Sequence, residues 1–167
     1  RQPVALVPIG SVEQHGKQTP LGMDVFLAEH VCKRVAERVE CVVTPSVPFG
    51  LAQTFSAFPG TVVISPASLQ AYLGDVLESL IRTGFKYIVV VDNHAGNGPV
   101  VRQLAWEIRQ RHSLTIARLF PYGLGKDLGR DLFTEGTSHW GHGSEPVVTL
   151  AAALVPGDLR MDLAHED

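Results

Sequence analysis

Glu13 and His15 stand two residues apart in Gly10-Ser11-Val12-Glu13-Gln14-His15-Gly16, directly after an apolar run, and Asp24 follows nine residues later. In an extended chain residues i and i+2 point to one face, so this carboxylate and imidazole can enter the same space. Carboxylate oxygen and imidazole nitrogen together suit a zinc- or manganese-type cation. A second polar cluster, Asp92-Asn93-His94-Ala95-Gly96-Asn97, follows another apolar run, and a third gathers His139, Trp140, His142 and Glu145.

Each cluster also has a plainer reading. Asp24 precedes a helical pattern and is a good N-cap, worth about 1 kcal/mol. A carboxylate in that place could equally bridge two cations. His94 could hydrogen-bond neighbouring carbonyls, and the third cluster could be a solvated loop with Glu145 placed for the helix dipole. Other chemistries lack their motifs. Gly136-Thr137-Ser138-His139 is not a Gly-x-Ser-x-Gly nucleophile elbow. Neither Gly-x-Gly-x-x-Gly nor a phosphate-loop Gly-Lys-Ser/Thr occurs, which weakens a nucleotide-binding reading. Gly96 would permit close backbone approach to a ligand. His30, His112 and His165 read as surface or helix-face residues.

The elements that must position these groups follow from periodicity. Val4–Ile9 is a continuous apolar run, as in a buried parallel strand. From Asp24, the residues Ala28, Val31, Cys32, Val35, Ala36 and Val39 form one helical stripe. Cys41–Pro45 predicts a second strand, and residues 48–65, rich in Gly, Ser, Phe and Pro, predict a long functional loop. Ser65-Pro66 opens a helix as N-cap and first residue, with Leu69, Tyr72, Leu73, Val76, Leu77, Leu80 and Ile81 facing inward and Gly84 ending it. Tyr87–Val91 is a run of β-favouring residues. A helix after Gly98-Pro99, a strand over Leu114–Phe120, a long excursion over Pro121–Gly143 and a last helix over Glu145–Leu154 complete the order. Alternating strands and helices make an α/β fold with a parallel sheet covered on both faces. Both polar clusters then lie at the carboxyl ends of strands, where such sheets bind ligands.

Composition sets the bounds. The 167 residues suit one domain, with 45% hydrophobic and 19% charged residues. A net charge of −3 gives no footprint for nucleic acid or anionic lipid. No run is long enough to span a membrane and no signal-peptide pattern opens the sequence, so a cytoplasmic location is expected. Cys32 and Cys41 form no Cys-x-x-Cys pair and read as small buried hydrophobes.

The anchors Pro8-Ile9-Gly10-Ser11-Val12-Glu13-Gln14-His15-Gly16, Pro20-Leu21-Gly22-Met23-Asp24, Phe58-Pro59-Gly60-Thr61 and Gly84 through Asn97 resemble, in order, those of the creatininase (creatinine amidohydrolase) family. His142-Gly143-Ser144-Glu145 is similar to that family's His-Ala-Gly-Glu element. The resemblance implies a three-layer α/β/α amidohydrolase with a mostly parallel sheet, two divalent ions (zinc or manganese) and assembly as a homo-oligomer, often a hexamer. It implies Glu13, His15, Asp24, His94 and Glu145 as ligands, with Asp24 between the ions. His142 matches the proton-handling histidine, and His142 and Glu145 are the catalytic candidates. It also implies that part of the family's C-terminal region lies outside these 167 residues.

Three carboxylates and two neutral imidazoles carry three negative charges against four positive ones, and a bridging hydroxide would supply the fourth and attack an amide carbonyl. The expected substrate is a small non-peptide or cyclic amide, creatinine-like or a formamide, with Trp140 and Asn97 as candidate binding residues. The sequence departs from the family pattern at Asn93 and Ala95, where glycines are usual, and at Val147, where a second glutamate is usual. Val147 motivates the alternative of a catalytically silent member that uses its metal site for structure or small-molecule binding.

Overall fold

In the computed structural model, which describes residues 3–129, 131–133 and 140–164, four parallel strands run in the order β2-β1-β3-β4. They are β1 (Val4–Ile9), β2 (Val42–Val43), β3 (Tyr87–Asp92) and β4 (Thr115–Leu119). The helices are α1 (Met23–Ala36), α2 (Pro66–Arg82), α3 (Gly98–Arg111), α4 (Pro121–Leu128) and α5 (Glu145–Leu154). Short 3₁₀ turns occur at residues 53–55 and 95–97 among others.

The period-two alternation of β1 assigns the two faces. Ala5, Val7 and Ile9 join Ile88, Val90 and Ile116 against Leu69, Leu73 and Leu77 of α2 and Val101, Leu104 and Ile108 of α3. Leu6 and Val91 point the other way, onto Ala28 and Cys32 of α1. Met23, Val147 and Ala151 join α1 to α5 on that second side. These are the three layers expected. The chain steps outward from β1 to β2, then crosses back over β1 to β3. The sheet therefore reverses direction between β1 and β3, and a crevice opens at their carboxyl ends.

Most boundaries fall where the residue types put them. Ser65 caps α2 by accepting from the Ser68 amide at 3.0 Å, with Pro66 in the first turn. The second strand is shorter than Cys41–Pro45, only two residues: pairing with β1 is interrupted at Pro45, which has no N–H, and resumes as an isolated bridge from Val47 to Ile9. Residues 48–65 are not a free loop. Val62 bridges antiparallel to Val12, which pins this segment across the Glu13 motif.

Two further differences bear on the site. The cap of α1 is Gly22, so Asp24 sits inside the first turn and does not cap the helix. The excursion after β4 contains α4, which sequence patterning does not suggest because its eight residues include Gly123 and Gly125. Packing compensates for the poor propensity. A Cβ at Gly125 would lie 3.3 Å from the Trp140 ring, so the bare backbone lets the indole rest against the helix. Tyr122 N donates to Asn93 Oδ1 at 3.0 Å, which anchors the helix start.

Candidate metal centre

The loop after β1 brings Glu13 and His15 to the crevice. The first turn of α1 brings Asp24, and the turn after β3 brings His94. All four are buried. His94 Nδ1 lies 3.1 Å from both Glu13 Oε1 and Asp24 Oδ2. His15 Nε2 lies 3.8 Å from Glu13 Oε1 and 3.7 Å from Asp24 Oδ1. Asp24 thus turns one oxygen toward each histidine. His142 approaches from the other side, its Nδ1 3.6 Å from Glu13 Oε1. Among the described residues two groups place their donor atoms close enough to share a cation: Glu13, Asp24 and His94, and Glu13, His15 and His142.

Hydrogen bonds outside the centre fix which atoms face inward. His15 Nδ1 meets the Glu13 carbonyl at 3.2 Å and His94 Nε2 meets the Leu51 carbonyl at 2.9 Å. His142 Nε2 donates to the Gln14 carbonyl. A carbonyl only accepts, so each of these nitrogens carries its proton and the opposite nitrogen of each ring faces the carboxylates. Asp24 is held by Ser11 Oγ at 2.6 Å and Asn93 Nδ2 at 3.3 Å. Glu13 Oε2 is buried and finds no hydrogen-bond partner among the described residues.

Electrostatics reflect this crowding. Burial alone would lower the His94 pKa, but Asp24 and Glu13 outweigh it and hold the imidazole at about 10. His15 is pushed the other way, lowered by burial and by His142 against the attraction of Asp24 and Glu13. Two buried carboxylates and an orphaned carboxylate oxygen need positive charge, and a proton on His94 supplies only part of it. Hard oxygen and imidazole nitrogen are the donor set of a divalent zinc or manganese ion. The residues present fit such an ion.

A cavity of about 500 Å³ opens on this centre, walled by Phe55, Tyr122, Trp140, His142, Val147 and Leu150 together with the buried four. His142 stacks between His15, at 4.3 Å, and Phe55, at 3.8 Å between ring centroids. Trp140 leans on Tyr122 at 5.2 Å and donates its indole N–H to the Tyr122 carbonyl.

Not every expected site residue stands in the centre. Glu145 opens α5 on its exposed side, outside both donor groups and off the cavity wall. Asn97 is buried behind the site, its amide engaged by Leu51 N, Gly10 O and Asp92. Gly96 lines the cavity, and a Cβ there would meet the His94 ring and the Leu51 carbonyl, so the close approach needs the bare backbone. His139 lies outside the described residues. Sequence reasoning missed Phe55, Tyr122 and the two holders of Asp24. Ser11 could have been found from its place in the Glu13 motif, whereas Tyr122 stands in an excursion that carries no signal.

The parallel α/β fold is shared with a known class of proteins. The chain belongs to the creatininase family, described as creatinine amidohydrolase, which it matches over residues 1–167. A creatinine amidohydrolase of Pseudomonas putida is 28% identical over 174 residues, covering 95% of this chain and 67% of that protein. A mycofactocin precursor peptide peptidase of Mycolicibacterium smegmatis is 38% identical over 101 residues, 57% of this chain and 40% of that protein. Among solved structures, a Mn creatininase superposes with a TM-score of 0.89 at 28% identity, covering 99% of this chain and 70% of its own. A mutant creatininase of Zn-Zn type gives 0.89 at 27% identity with the same coverage.

Proposed function

We propose that this chain is a metal-dependent amidohydrolase acting on a small non-peptide or cyclic amide, creatinine-like or a formamide. The observation that carries the reading is the buried Glu13–Asp24–His94–His15 centre with its orphaned Glu13 oxygen, opening onto a cavity of small-molecule size. Relatives named as a creatinine amidohydrolase and Mn and Zn-Zn forms of creatininase support both the reaction class and the choice of ions.

Glu13, Asp24 and His94 would hold one ion. His15 with Asp24 would hold the other, and the resemblance completes that set with Glu145. Bound divalent ions supply a Lewis acid for the amide carbonyl and lower the pKa of water. The chain's own residues do the rest. Phe55, Val147 and Leu150 keep the cavity largely apolar, which strengthens the polar contacts made inside it. Trp140, with its N–H already engaged, offers a ring face to a flat amide. His142 is 29% exposed at its side chain, whereas Glu13, His15, Asp24 and His94 are 10% or less. That access lets it exchange protons with solvent, so it is the proton carrier: Nε2 stays fixed on Gln14, and Nδ1 takes up a proton and releases it to the leaving nitrogen.

Metal content per chain by mass spectrometry, followed by an amide panel spanning lactams, formamides and short peptides, tests the reading. About two equivalents of zinc or manganese with turnover of a small amide is the expected result. Two metals with no amine released would favour a silent member, and no metal after incubation would overturn the mechanism. Glu145→Gln is expected to keep the Glu13–Asp24–His94 ion and lose the other. Retention of both ions would remove Glu145 from the ligand set.

Metal should also stabilise the fold. At a hundredfold excess over Kd, binding to the native state alone adds about 2.7 kcal/mol. For a chain of this size that is a rise in Tm of roughly 5–10 °C, reversed by chelator. Differential scanning calorimetry with and without manganese reads it, and an unchanged Tm would contradict a metal site built into the core.

A further inference from the structure

Behind the proposed centre lies a second polar cluster that touches neither the cavity nor the candidate ligands' inner faces. Asp92, the last residue of β3, is 0% exposed. Its Oδ2 accepts from Arg118 Nε at 2.6 Å, and its Oδ1 accepts from the His94 amide at 3.2 Å and from Asn97 Nδ2 at 3.1 Å. Strand register makes the pair possible. Val90 is aligned with Arg118 of β4, and Asp92 follows Val90 by two residues, so the two charged side chains share a sheet face on a diagonal.

The cluster reaches His94 from three directions. Asp92 holds its amide. Arg118 Nη2 lies 3.4 Å from its carbonyl oxygen. Asn97 Oδ1 accepts from Leu51 N at 2.9 Å, and the Leu51 carbonyl in turn meets His94 Nε2 at 2.9 Å. Asn97 Nδ2 also donates to the Gly10 carbonyl, which ties in the loop that carries Glu13. The approach is so close that a Cβ at Gly50 would fall 2.6 Å from Asn97 Oδ1, and one at Gly96 would fall 2.5 Å from His94 Nε2.

The geometry points to Arg118, acting with Asp92 and Asn97, as the positioning unit that aims His94 Nδ1 at Glu13 and Asp24. None of the three lines the cavity, so they act through His94 and are not catalytic residues. The charged pair is required because one carboxylate must accept from three donors at once. An amide in its place has a single acceptor oxygen and cannot serve both Arg118 and the His94 amide. This inference rests on the metal reading for its function, but the aim of His94 is testable without metal.

The experiment compares wild type with Arg118→Lys and Asp92→Asn. Lysine keeps the charge and loses the fork that spans Asp92 and the His94 carbonyl, while asparagine keeps the shape, so one variant serves if the other fails to fold. Manganese binding to the chelated protein is measured by calorimetry. Imidazole ¹⁵N–¹H spectra of the metal-free protein report the hydrogen bonding of the His94 ring nitrogens, with His15 as internal reference. The expected result is a loss of manganese affinity of about 10–100-fold, the range for outer-shell partners of a ligand, with His94 ring signals shifted and those of His15 in place. Lowered Tm with unchanged affinity and an unchanged His94 spectrum would show a merely structural ion pair and overturn the inference. If wild type itself bound no manganese, the metal reading would fail. The His94 spectra would then decide the positioning role alone, a shift in the variants upholding it and no shift overturning it.

Discussion

Glu13→Gln should strip the centre of the ion held with Asp24 and His94. Glu13 Oε1 is the oxygen common to the two donor groups, within 3.8 Å of His15, 3.1 Å of His94 and 3.6 Å of His142. Glutamine fills the same volume but removes the negative charge that a cation would neutralise in a buried site. The loss of affinity should exceed the about 10–100-fold typical of changes one shell further out. Turnover should fall by about 10³-fold or more, the scale of deleting a group that acts directly on the transition state. The measurement is metal per chain after dialysis, alongside amine release. A Glu13→Gln protein that kept two equivalents would refute the centre as drawn.

Asp24→Asn separates chemistry from folding. Were Asp24 the cap of α1, asparagine would replace it at little cost, since the two residues cap about equally well. In the structure Gly22 holds that place and the Asp24 carboxylate is held by Ser11 and Asn93. One oxygen faces each histidine, so the amide loses one of the two positions a bridging carboxylate must fill. Melting of the metal-free variant should therefore stay within about 1 kcal/mol of wild type, the usual scale for one hydrogen bond. Metal stoichiometry should drop below two, and activity should fall by about 10²-fold or more. Full activity with two ions would return Asp24 to an ordinary helix-start residue.

The parts of the centre legible in sequence were those carried by local pattern. Glu13 and His15 are paired by strand periodicity, and His94 follows the most β-favouring run in the chain, so their arrival at one sheet edge follows from counting strands. Glu145 and Asn97 show where that reasoning stops. Both stand at expected positions on their elements, but the helical period turns Glu145 to the opposite side of α5 from Val147, and of that helix only Val147 and Leu150 face the cavity. Asn97 begins a helix in sequence and ends up as a tie between Gly10, Leu51 and Asp92, residues up to 87 positions away. No local rule marks that role. The helix over Pro121–Leu128 was illegible for the same reason, since Gly123 and Gly125 argue against a helix until Phe120 and Trp140 pack beside them.

By itself, the sequence determined the parallel α/β order, the faces of each strand and helix, and the identity of the groups able to bind a cation. These depend on periods of two and 3.6 residues and on side-chain chemistry, which are local properties. Only the tertiary structure decided that Asp24 serves the centre and does not cap its helix, that His142 rather than Glu145 reaches Glu13, and that Arg118 and Asp92 stand behind His94. Each of those outcomes depends on distances between segments brought together by strand register and crossover, and chain-local preferences carry no information about them.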